Sequence, residues 1–200
     1  MALELLDNLT LADFERMADL EARAYSDDFI APAQEAYAWY RRYPYTVVVL
    51  ACANAGAPAG DERRIAGFIN MFPVTDEVFE GLRAGTFNDA DLTVDQIVDI
   101  ELAGDGPLHM FLSCIAVDEA YRGHGVAGAL VRAAAARYEH VAHRVDWIVT
   151  DNVTPGGERF SQNLGFDFVR TSDHGSAIYL QEYASFVRRL QQAPRADALG

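Results

Sequence analysis

Residues 117–130 read Val117-Asp-Glu-Ala-Tyr-Arg-Gly-His-Gly-Val-Ala-Gly-Ala-Leu130, and the rest of the chain is interpreted around them. The β-branched run before this stretch has the pattern of a strand, and the alanine-rich run after it has the pattern of a helix. Gly123, Gly125 and Gly128 fall at the junction. Glycine lets the backbone approach a ligand closely, and the unpaired amides of a helix N-terminus point at negative charge, so the junction has the chemistry of an anion site. A pyrophosphate is its natural occupant. Gly123-His124-Gly125-Val126-Ala127-Gly128 also satisfies the dinucleotide pattern, with Asp146 and Asp151 downstream as ribose contacts. In that fold, however, the first glycine follows the strand almost directly and further strand-helix units come after it. Here Asp118 to Arg122 intervene, and fewer than eighty residues remain after Gly123.

Arg122-Gly-His-Gly125-Val-Ala127 fits the pattern Arg/Gln-x-x-Gly-x-Gly/Ala. Together with the Ile115-Ala-Val-Asp118 strand end and Leu164-Gly165-Phe166, it resembles the acyl-CoA-binding core of the GNAT superfamily of N-acetyltransferases. The resemblance implies a single mixed α/β domain over residues 1–200, with a central, mostly antiparallel sheet flanked by helices. It implies acetyl-CoA as co-substrate, backbone groups of Ile115, Ala116 and Val117 along the pantetheine arm, and amides from Arg122 through Gly123, His124, Gly125, Val126, Ala127 and Gly128 around the pyrophosphate. Asn152 is the implied partner of a pantetheine amide, although the strict spacing falls on Thr154. The family commonly has a tyrosine three residues before Leu-Gly-Phe to protonate the leaving thiolate. That place is Ser161 here, a shorter and weaker acid, with Tyr179 as an alternative.

Working outward, Thr10 with Asp13 reads as a helix cap, with a helix continuing toward Tyr25 and a second helix over 32–42. No strand is expected before residue 45. Runs 45–52 and 64–72 read as a hairpin across a Gly/Pro/Ala loop at 53–60. After 75–106 come a strand (108–117), a helix (about 124–140), a strand (144–150), a helix (154–164), two strands (165–170, 176–183), an amphipathic stretch (183–192) and a tail at 193–200 expected to fray. The segment 75–106 holds nine acidic residues against Arg83 alone. It reads as an acidic helical insertion of two short helices, one carrying Phe79, Leu82 and Phe87 and the other Leu92, Val94, Ile97 and Val98.

The chain has 200 residues and a net charge of −14, and all its basic residues are arginine. That sign argues against a nucleic-acid partner and favours a cationic small molecule or protein amine as acceptor; a homodimer is compatible with it. Cys52 and Cys114 each sit in an apolar run and read as buried thiols rather than a disulfide framework. The N-terminus is acidic, and no apolar run reaches the roughly 18 residues that span a bilayer, so a cytoplasmic protein without membrane association is expected.

Acyl transfer to an amine needs a base, because an amine with a pKa near 10 is charged at neutral pH. His109 is the one side chain of its strand that titrates near neutrality, with Glu101 and Asp99 as competitors acting through water. Trp39, Tyr40 and Tyr43, with Asp27 and Asp28, have the composition of an amine pocket or of ordinary core. No metal is assigned, since His140 and His143 lack a third ligand of suitable spacing. The competing functions are a non-catalytic acyl-CoA-binding module and a dinucleotide-dependent oxidoreductase.

Overall fold

The computed structural model describes residues 3–23, 31–52 and 64–192. Among them are strands β1 (Leu3–Leu5), β2 (Val47–Cys52), β3 (Arg64–Val74), β4 (Leu108–Val117), β5 (Val145–Asn152), β6 (Asp167–Thr171) and β7 (Ala177–Glu182). The α-helices are α1 (Leu11–Glu21), α2 (Ala33–Arg42), α3 (Asp76–Ala84), α4 (Val126–Arg137), α5 (Pro155–Leu164) and α6 (Tyr183–Gln192). The strands form one sheet in the order β1-β2-β3-β4-β5-β7-β6. This is the mixed α/β, mostly antiparallel architecture expected from the sequence. None of the described helices is long and apolar enough to cross a membrane.

The described residues group into two compact units, those within 3–70 together with 115–134, and 71–114 together with 135–192. In the first, β2 lies antiparallel between β1 (Leu3↔Cys52) and β3 (Val47↔Asn70), and Val48 to Ala51 are almost fully buried. Large apolar side chains such as Val48, Val49 and Leu50, buried to this degree, contribute about 1.5–3 kcal/mol each, which holds β2 in the middle of its sheet neighbours. Helix α1 begins with the expected box: the Thr10 amide and hydroxyl donate to Asp13 Oδ2 at 2.8 and 2.7 Å. Its Phe14 ring meets Tyr37 and Tyr40 of α2, both at 5.6 Å.

In the second unit β5 runs parallel to β4 (His109↔Trp147) and antiparallel to β7 (Thr150↔Tyr179), and β7 pairs with β6. The only parallel pair among the strand pairings described is thus the one bridged by a helical crossover, as connection geometry requires. Thr154 caps α5 and Pro155 occupies its first turn, while Gly165 ends it in the left-handed region at φ 84°.

Several expectations change. Leu3–Leu5 is a strand, where the sequence suggested no strand before 45; three residues are too few to show a period, and pairing with β2 defines them. Residues 44–46 form a 3₁₀ turn ahead of β2. Within 75–106 one α-helix forms, burying Val78, Phe79 and Leu82, but the second expected helix does not. Residues 89–91 and 94–96 are 3₁₀ turns, and Ile97 bridges to Val74 in extended conformation, so the apolar residues there are anchored one at a time. Neither cysteine is in a disulfide, and both are half-buried rather than buried. Tyr25, Asp27, Asp28, the loop 53–60 and the tail 193–200 lie outside the described residues.

Candidate functional site

The quoted stretch forms a strand-turn-helix junction within the first unit. Asp118 holds its entry. The Asp118 amide donates to the Ala66 carbonyl at 3.0 Å, and its Oδ1 accepts from the Ala120 amide at 2.9 Å, capping a single 3₁₀ turn. Arg23 and Arg64 reach its carboxylate at 3.5 and 3.9 Å. The next side chain inward, Tyr121, is buried under the Arg64 guanidinium, 5.5 Å from its ring. Gly67 of β3 packs against this exit so closely that a Cβ there would lie 2.6 Å from the Ala116 carbonyl oxygen.

Gly123 and Gly125 both have φ 78°, the left-handed region that favours glycine. These two residues delay the helix to Val126, two residues later than the sequence pattern suggested. The Ala129 amide closes the first helical bond on the Gly125 carbonyl at 3.0 Å, so the amides of Val126, Ala127 and Gly128 have no partner within α4. A Cβ on Gly123 would meet nothing within 4 Å, which leaves open space above that backbone. Arg122 to Gly128 therefore form a turn with positive φ at two points that leads into a helix N-terminus, with the Arg122 and His124 amides turned onto the Glu119 and Tyr121 carbonyls and the first-turn amides of α4 left for an anion.

Two side chains define the charge of this nest. Arg122 is exposed; its Nε donates to the Val117 carbonyl at 3.4 Å and its Nη1 to Glu119 at 3.2 Å. His124 Nδ1 lies 2.9 Å from the Arg122 carbonyl, which can only accept, so Nδ1 carries a proton. Arg132 was not singled out in the sequence. Its guanidinium lies back over the first turn of α4, 3.5 Å from where a Gly128 Cβ would be, which is an ordinary contact distance. The spacing of a glycine four residues before an arginine was the available signal. No acid occurs in the sequence between Arg122 and Arg137, while Glu119, just before this run, pairs with Arg122. These features suit a pyrophosphate. Of the other expected cofactor positions, Ile115 and Val117 are half-buried and Ala116 is buried at the end of β4.

The remaining expected residues lie in the second unit. His109 of β4 stacks on Phe79 of α3 with centroids 4.1 Å apart and planes at 16°. Its Nε2 is 3.8 Å from Asp76, and its Nδ1 is buried without a hydrogen-bond partner. Asn152 and Ser161 are both buried and bonded to each other: the Asn152 amide donates to Ser161 Oγ at 3.0 Å, and the hydroxyl donates to Asn152 Oδ1 at 3.2 Å. Thr154 caps α5 through the Gly157 amide. Tyr179, also buried, donates to Glu158 at 3.1 Å and accepts from Gln162 at 2.8 Å.

Comparison with known proteins places this geometry. A profile of the Acetyltransferase (GNAT) family matches residues 14–166, including the nest, α5 and the Leu-Gly-Phe corner. No curated protein sequence matches the chain significantly. Among solved structures, the loading GNATL domain of CurA from Lyngbya majuscula superposes with a TM-score of 0.59 at 13% identity, covering 92% of this chain and 99% of that one. Ard1 from Thermoplasma volcanium gives 0.58 at 14% identity over 91% and 98% of the two chains. Arabidopsis thaliana NAA60, solved with acetyl-CoA, gives 0.54 at 15% identity over 90% and 97%. The family match over residues 14–166, which takes in the strand-turn-helix junction, establishes that the chain belongs to the GNAT acetyltransferase family.

Proposed function

We propose that this protein transfers an acetyl group directly from acetyl-CoA to a primary amine of a cationic small molecule or protein. The observation that carries the reading is the nest at 122–128, with two left-handed glycines, the free first-turn amides of α4 and the Arg132 guanidinium over that turn. Together with the family, it favours a phosphate-bearing acyl carrier over a nicotinamide cofactor. When bound, acetyl-CoA supplies the thioester whose acyl carbon the amine attacks. The chain's own part is to bind the pyrophosphate through the Arg122 to Gly128 backbone and the pantetheine arm through Ile115, Ala116, Val117 and Asn152.

We assign proton transfer to His109 and Ser161. Supporting His109 as base are the buried, unbonded Nδ1 and Asp76 at 3.8 Å from Nε2. Ser161 can protonate a thiolate only by releasing Asn152 Oδ1, whereas Tyr179 would have to release Glu158. His109→Gln should therefore lower kcat with the acetyl-CoA KM unchanged, and the kcat values of Ser161→Ala and Tyr179→Phe should identify the acid. Equal kcat in all three would remove these side chains from the chemistry. The exposed acids Asp91 and Asp95 select the cationic acceptor in this proposal, so their Asn variants should raise acceptor KM only. The deciding experiment measures free-thiol release from acetyl-CoA over a panel of primary amines, beside thermal shift with acetyl-CoA and with nicotinamide dinucleotides. Stabilisation by acetyl-CoA with amine-dependent thiol release supports the proposal. Binding without turnover on any amine would identify a non-catalytic acyl-CoA module, and stabilisation by the dinucleotide alone would refute both.

A further inference from the structure

The sheet ends at β6, which pairs with β7 on one side and has no described strand on the other. An outer strand presents unpaired backbone groups, and proteins that keep such an edge single line it with charge or cover it with a helix or loop. Here all five residues of β6 are exposed, Phe168 at 56% and Val169 at 40%. They are the one adjacent pair of large apolar side chains exposed among the described residues. Phe168 meets the Tyr179 ring edge-on at 5.6 Å, and the rest of its surface faces solvent. Register gives the edge a second property. Asp167 pairs with Leu180 and Arg170 with Ile178, and the register shifts between Phe168 and Arg170. Residues three apart in a regular strand point to opposite faces, but Leu180 and Ile178 are two apart on β7, so the bulge puts Asp167 and Arg170 on one face. Asp167 has no ion pair or side-chain hydrogen bond among the described residues. Arg170 Nε donates to the Thr171 carbonyl at 3.4 Å, which leaves its terminal nitrogens unpaired among those residues.

We propose that β6 is the contact between two copies of this chain, set side by side and antiparallel about a two-fold axis through the bulge. In such a self-contact residue i of one copy meets residue j of the other, and j meets i. With the axis between Phe168 and Val169, Asp167 of each copy faces Arg170 of the other on the same face of the joined sheets, and Phe168 faces Val169. The segment reads acid-apolar-apolar-base, so it complements itself only when reversed. A parallel, in-register contact would set Asp167 on Asp167 and Arg170 on Arg170, which like-charge repulsion opposes. The bulge limits backbone bonding across the edge, so side chains carry the contact: four apolar groups at the centre and an ion pair on each flank. Beside Arg170 a groove of about 500 Å³, bordered by Arg83 and Ala84 of α3 and by Val169 of β6, leaves space for the two charged side chains to meet without displacing α3. A contact confined to one short strand falls at the small end of protein interfaces, below about 1,200 Å², where association is weak and reversible.

Sedimentation velocity of the full chain from about 5 to about 500 µM tests this and needs neither acetyl-CoA nor an acceptor. The native chain should show a reversible monomer-dimer equilibrium. Arg170→Asp and Asp167→Arg each bring like charges together twice per dimer and should weaken self-association at least about tenfold. Mixed in equal amounts, the two variants regain both attractive pairs, because an all-acidic edge then faces an all-basic one, and native-like association should return. Phe168→Ser should weaken the dimer with both ion pairs in place. A native chain that stays monomeric at the highest concentration, a dimer indifferent to Arg170→Asp, or single variants that do not recover on mixing would each overturn the proposal. If a charge variant does not fold, hydrogen-deuterium exchange of the native chain at the two ends of that concentration range decides: added protection over 167–171 supports the contact, and unchanged protection there refutes it.

Discussion

Gly123→Ala separates the binding nest from ordinary turn chemistry. The native φ of 78° places an L-residue in the left-handed region, which costs about 1–2 kcal/mol, and an added Cβ meets no protein atom within 4 Å. Folding therefore carries the strain alone, and for a chain of this length about 1–2 kcal/mol lowers Tm by roughly 2–8 °C. Gly175, with φ 90° and nothing within 4 Å of its own virtual Cβ, provides a matched control in the β6–β7 turn. Gly175→Ala should lose a similar amount of stability. The two variants should differ in binding: on the proposed function the methyl in Gly123→Ala would occupy the open face assigned to the pyrophosphate and break one or two charge-assisted hydrogen bonds, each contributing about 1.5–3 kcal/mol. Calorimetric titration with acetyl-CoA should then show Kd at least about tenfold weaker for Gly123→Ala and unchanged for Gly175→Ala. Equal Kd values for the two variants, with both folded, would show that the nest does not hold the cofactor.

Other substitutions test neighbouring parts of the argument. Arg132→Gln should weaken acetyl-CoA several-fold with Tm nearly unchanged, and the deficit should shrink in high salt; a salt-independent deficit would exclude a charge contact. Gly67→Ala forces a Cβ to 2.6 Å from the Ala116 carbonyl oxygen and should cost about 1–3 kcal/mol, read as a lower thermal midpoint. Tyr183 has a buried hydroxyl without a partner, and burial pushes it up to about 12. Its folded form keeps the proton longer than the unfolded chain, so stability should decline as pH rises from about 10 to about 12. Tyr183→Phe should remove that alkaline loss and match or exceed the native Tm at neutral pH.

Much of the site was legible because its chemistry is local. Gly123, Gly125 and the first turn of α4 are consecutive in the chain, so the spacing of glycines after a strand already specified an amide nest, and the Thr10–Asp13 box likewise needs only three intervening bonds of chain. The element order from β2 onward was legible for the same reason, since β-branched runs and helical periods are local patterns. Charge read as a whole-chain sum suggested a cationic partner in general terms. Position showed instead an acidic segment at 75–106 and an acid-free nest between Arg122 and Arg137.

What the tertiary structure decided depends on groups far apart in sequence. Strand β1 exists through its pairing with β2, which three residues cannot announce by themselves. Arg23 and Arg64 converge on Asp118 only in the fold, and the Arg132 guanidinium comes to lie over Gly128 at the start of α4. Asp151, a ribose contact in a dinucleotide reading of the sequence, is instead buried and hydrogen-bonded to His174 of the β6–β7 turn. Local sequence fixes backbone dihedrals and amide direction, whereas burial and charge pairing depend on which distant segments exclude water together. The burial of Asp151 could therefore be read only from the folded chain.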